Sequence, residues 1–130
     1  MASTSQDPRP LSPHLGVWRF HITMVTSILH RITGVGLYLG AAVLTVWLAA
    51  AAAGPDAYAT VEGLLLSPVG RLVLFGLTLS GTYHLANGIR HLVWDTGAGF
   101  ALKSANASAW FALIFSVLAT LGVWAAAYWL

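Results

Sequence analysis

Cysteine is absent from all 130 residues, so the chain can hold neither a disulfide nor a thiolate-ligated zinc or iron–sulfur centre of its own. Charge is scarce too. Charged residues make up 8% of the chain and hydrophobic ones 58%, more apolar surface than a water-soluble domain of this size can hide. Six basic and four acidic side chains leave a net charge of +2, too thin a distribution for a nucleic-acid footprint. The N-terminal segment has no continuous apolar run and carries Asp7, Pro8, Pro10 and Pro13, which argues against a cleaved secretory signal. Arg9 is its one basic residue before Arg19, too few for a mitochondrial presequence. Residues 1–21 are therefore expected to form an ordered cytoplasmic tail. Insertion into a bacterial plasma membrane is expected in preference to the mitochondrial inner membrane.

The apolar residues fall into long stretches. A helix rises about 1.5 Å per residue and needs ~20 residues to cross ~30 Å of hydrocarbon. Spans are expected at about 22–53, 68–94 and 108–130. Gly54 and Pro55 end the first; Pro68 opens the second, and Asp95, Gly97 and Gly99 follow it. The fold class is an all-α integral membrane protein of three transmembrane helices, with 22–130 as one anchor domain contributing to a multi-subunit bundle. Arg9 and Arg19 precede span one, Arg90 and Lys103 flank the second connection, and the first loop holds Asp56 and Glu62. The positive-inside rule then puts the N-terminus in the cytoplasm, with Arg71 dissenting. Trp18, Trp94 and Trp129 lie near span ends, where indole rings favour the headgroup layer.

Ionisable groups inside a membrane are expensive, and here they cluster. Ser27, His30 and Arg31 stand at i, i+3 and i+4 on one helix side, and His84, Asn87 and His91 repeat the pattern on span two. Counted from the cytoplasmic ends, His30 and His84 lie roughly 12 and 15 Å deep. Gly34, Gly81 and Gly88 remove bulk beside them, as a flat macrocycle against a helix requires. Arg31, Arg90 and His91 lie nearer the surface, where they are suited to neutralise two carboxylates. That geometry describes a b-type haem. Each residue has a plainer use: a lone membrane histidine is usually a packing residue, glycines let helices approach, and arginines near span ends snorkel. Clustering on two spans at one depth favours the site.

Three runs of sequence carry a family resemblance: RPLSPHL from Arg9, SILHRITG from Ser27 and HLANGIRHLVWDTG from His84. Together they resemble the cytochrome b large membrane-anchor subunits of succinate dehydrogenase (respiratory complex II), in particular the branch shared by alphaproteobacteria and mitochondria. The resemblance implies that His84 is an axial ligand of haem b, with the second ligand from a smaller partner anchor subunit. It implies that Ser27 and Arg31 bind ubiquinone and that His30, Arg31 and His91 surround the haem propionates. It also implies a flavoprotein and an iron–sulfur subunit on the cytoplasmic face, so that neither FAD nor an iron–sulfur cluster is expected in this chain. The expected function is passing electrons from succinate oxidation to ubiquinone as a subunit without the catalytic head. The alternatives are a haem-free anchor of a membrane-bound dehydrogenase or fumarate reductase, and a small proton-conducting component.

Overall fold

A computed structural model describes residues 19–129. It is all helical among these residues: α1 (Ile22–Ala53), α2 (Pro55–Leu66), α3 (Pro68–Asp95) and α4 (Leu102–Trp129). The RPLSPHL run, Arg9 and Trp18 lie outside the described residues, as does nearly all of the expected tail. The first two expected spans correspond to α1 and α3. The segment expected as a loop with Asp56 and Glu62 is instead a helix, α2. Pro55 stands in its first turn, Asp56 complements the helix dipole there, and an Ala- and Leu-rich run follows. Helix α4 begins at Leu102, six residues ahead of the expected span.

Two breaks shape the chain. Gly54 has a φ of 119°, a left-handed conformation that separates α1 from α2. Ser67 then caps α3, its hydroxyl accepting from the Gly70 amide at 3.1 Å with Pro68 in the first turn. The axes of α2 and α3 differ by 77°. At this corner a Cβ on Gly70 would collide with the carbonyl oxygens of Leu64 and Leu65, so the backbones approach only because residue 70 has no side chain. Helices α1 and α4 are each long and apolar enough to cross a membrane; α3 qualifies only together with α2, because His84, Asn87, Arg90 and His91 dilute its apolar face.

The core is inverted relative to a soluble protein. Its buried residues are Ala50, Tyr83, Ala105, Ala109 and Ala112 with Thr26, Asn87, Arg90, Ser116 and Thr120, whereas Leu72 and Trp129 are 72% and 90% exposed. Ala105, Ala109, Ala112, Ser116 and Thr120 recur at three- and four-residue steps along α4 and form its buried face. Small side chains let membrane helices pack closely, and hydroxyls then join them. Thr82 on α3 donates to the Ser116 carbonyl at 3.1 Å and shares a 2.9 Å hydroxyl contact with Thr120.

Candidate functional site

The polar cluster lies where α1, α3 and α4 meet. The His30 ring stacks on His84 with centroids 3.8 Å apart and planes 14° from parallel, and on His91 at 5.0 Å and 20°. Histidines expected at matched depth on two helices therefore meet, with His30 in the middle of the stack. Glycine permits the approach: a Cβ on Gly34 would stand 3.2 Å from His84 Cε1.

The ring nitrogens differ in their partners. His84 Nδ1 lies 3.2 Å from Thr33 Oγ1. His91 Nδ1 donates to the Asn87 carbonyl at 2.7 Å, since a carbonyl only accepts. His30 Nδ1 is buried without a partner. Among the described residues no three His, Asp or Glu groups form a metal site. Parallel stacked rings do not converge their nitrogens on one point, so the cluster suits a ligand that approaches one ring at a time.

Ser27 and Arg31 line a groove of about 340 Å³ with Thr23, Met24 and Ile28, all residues of α1. Neither makes a hydrogen bond or ion pair with the described residues, and Arg31 is exposed. Among the described residues the groove has one wall, α1. The structure thus gathers His30 of α1 with His84 and His91 of α3 and leaves Ser27 and Arg31 on a flank of α1 that is open among the described residues.

Arg90 departs from its expected use as a free or snorkelling cation. It is 6% exposed. Its Nε donates to Ser108 Oγ at 2.9 Å, Nη1 to Asn87 Oδ1 at 3.2 Å and Thr26 Oγ1 at 3.3 Å, and Nη2 to the Ala105 carbonyl at 3.1 Å. Its guanidinium carbon lies 3.9 Å from the centre of the Trp94 ring. With four donated bonds spread over three helices, it is a structural tie. Tyr83 adds a parallel link, its hydroxyl donating to the Thr26 carbonyl at 2.6 Å. Sequence reasoning passed over Thr26, Thr33 and Tyr83. A signal for Thr33 existed, since a hydroxyl three positions after His30 falls on the same helix face.

Comparison with known proteins adds an independent line. The profile of a family described as "Succinate dehydrogenase/Fumarate reductase transmembrane subunit" matches residues 5–123. A protein of Paracoccus denitrificans named "Succinate dehydrogenase cytochrome b556 subunit" is 41% identical over 108 residues, covering 83% of each chain. One of the same name from Rickettsia felis is 35% identical over 127 residues, 95% of this chain and 99% of the relative. The "Succinate dehydrogenase cytochrome b560 subunit, mitochondrial" of Sus scrofa is 34% identical over 117 residues, 88% of this chain and 69% of that one. By this agreement along nearly the whole sequence, the chain belongs to the succinate dehydrogenase/fumarate reductase transmembrane subunit family.

Proposed function

We propose that this chain helps hold haem b and bind ubiquinone as the cytochrome b membrane-anchor subunit of succinate:ubiquinone oxidoreductase. It is the anchor of the enzyme and not its catalytic head, a multi-pass protein of the bacterial inner membrane whose complex also contains a flavoprotein and an iron–sulfur subunit. The finer reading is that a second small anchor subunit supplies the other haem ligand and that the N-terminus lies in the cytoplasm. Exposed Arg19 and Lys103 favour that orientation; Arg90, being buried, no longer counts toward it.

The observation that carries the haem reading is the histidine stack. His84 has one nitrogen engaged by Thr33 and the other without a hydrogen bond among the described residues, while His30 Nδ1 is buried and unpartnered. Burying an unpaired polar atom costs about 1 to 3 kcal/mol, so an added polar group that supplied a partner would relieve it. A packing histidine in a haem-free anchor would be expected to find a protein partner. The donors fit a haem. His84 would hold the iron through Nε2, and His30, Arg31 and His91 would face the carboxylates. Bound haem supplies a one-electron store between donor and acceptor.

Quinone reduction consumes two electrons and two protons, so the ring needs donors at its carbonyls and access to water. Ser27 brings a hydroxyl and Arg31 a fixed cation, neither engaged by a competing partner among the described residues. Ile28 and Met24 give the same groove an apolar lining.

The test is His84→Leu in the assembled complex. Loss or severe perturbation of the low-spin b-type spectrum is expected, with succinate oxidation by an artificial acceptor retained. A normal low-spin spectrum in correctly assembled His84→Leu enzyme would overturn the ligand assignment. His30→Leu should leave the iron ligated if the second ligand comes from the partner subunit.

A further inference from the structure

We infer that Thr33 is a positioning residue that fixes the tautomer and ring orientation of His84. The inference rests on the reading of His84 as an iron ligand and goes beyond it, to the group that makes His84 competent.

The hydroxyl has one proton and three neighbours. Thr33 Oγ1 lies 2.8 Å from the Leu29 carbonyl, 3.0 Å from the His30 carbonyl and 3.2 Å from His84 Nδ1. The two carbonyls only accept, so the proton points back along α1 toward them, the usual habit of a helical threonine. The oxygen lone pair then faces His84 and is satisfied if Nδ1 carries the imidazole hydrogen. That arrangement leaves the lone pair of Nε2 free, the form that ligates a metal. The opposite tautomer would set three acceptors, Nδ1 and the two carbonyls, competing for a single hydroxyl proton.

Gly34 completes the device. A Cβ there would stand 3.2 Å from His84 Cε1, so consecutive residues of α1 hold one edge of the ring and leave room for its face. A hydrogen bond accepted from Nδ1–H also makes the ligand a stronger donor, which favours the more oxidised iron.

The experiment compares Thr33→Val, Thr33→Ala and Thr33→Ser in the intact complex, with midpoint potentials read in native membranes. Haem release to an apomyoglobin trap is measured after purification. Both hydroxyl-free variants should release haem roughly ten- to a hundred-fold faster, the range for lost support of a metal-bound histidine, and shift the potential upward. Thr33→Ser should keep both properties near wild type, which mere cavity or packing effects would not do. Wild-type potential and release in Thr33→Val and Thr33→Ala would overturn the inference, as would failure of Thr33→Ser to behave as wild type. His84→Leu run alongside separates the two levels. If it keeps a normal spectrum, the ligand reading falls and takes this one with it; if it loses the spectrum while the Thr33 variants are unchanged, only the role of Thr33 is wrong.

Discussion

Ser27 and His30 are three residues apart on α1, yet one stands on an open groove and the other inside a stack of rings. That separation lets the proposed quinone and haem functions be tested apart. A hydrogen bond to a group gaining charge contributes about 1.5 to 3 kcal/mol, so Ser27→Ala should slow ubiquinone reduction by roughly ten- to a hundred-fold. Electron transfer from succinate to a water-soluble acceptor should stay near wild type. Assembled Ser27→Ala enzyme with unchanged turnover and affinity for ubiquinone would refute the contact. Arg31→Leu is expected to show the same slowing with a change in the haem spectrum that Ser27→Ala lacks, because Arg31 is proposed to serve both groups. His91 has a narrower choice. With Nδ1 donating to the Asn87 carbonyl, only Nε2 remains to meet a carboxylate, and as a donor it must carry its own proton.

Between helices, Arg90 does what sequence position alone did not reveal. Near the end of an apolar stretch an arginine reads as a surface cation, because length and hydropathy say nothing of what the neighbouring helix offers. Here α4 offers Ser108 and the Ala105 carbonyl, and α1 offers Thr26. Lysine would keep the charge but not the fork that spans both helices. Bonds to charged groups contribute about 1.5 to 3 kcal/mol each in soluble proteins and less within membranes. Arg90→Lys should therefore cost on the order of 2 kcal/mol through the two bonds to α4. A lowered thermal midpoint of the assembled complex is the expected readout, and an unchanged one would show that the tie carries no net stability. The long helices themselves were legible from hydropathy, since 20-residue apolar runs have few other fates. The α2 helix was not, because Asp56 and Glu62 resemble loop charges unless the helix lies at a surface. The histidine meeting was legible from periodicity and depth, whereas the engagement of His84 by Thr33 depends on how two helix faces are rotated against each other.

At the scale of the molecule, exposed leucines and buried alanines, threonines and serines describe a body whose outside is solvated by lipid. Orientation of that body is testable with little preparation, because the chain contains no cysteine and any thiol introduced is the only one it has. A cysteine at Lys103, in the first turn of α4, should react with an impermeant maleimide only from the cytoplasmic side, and one at Asp56 on α2 only from the other; the reverse pattern would invert the proposed topology. The 77° corner at Ser67 bears on where the histidine stack sits. If α3 stands across the bilayer, α2 lies nearly flat, a foot on the far surface from which α3 rises at a set height. His84 is 16 positions beyond Pro68, about 24 Å at helical rise. The corner thus turns α3 into a ruler: the depth of the histidine stack is measured from the opposite leaflet. One residue added between Gly70 and Tyr83 would lift His84 by about 1.5 Å and swing it about 100° around the helix, away from the ring of His30.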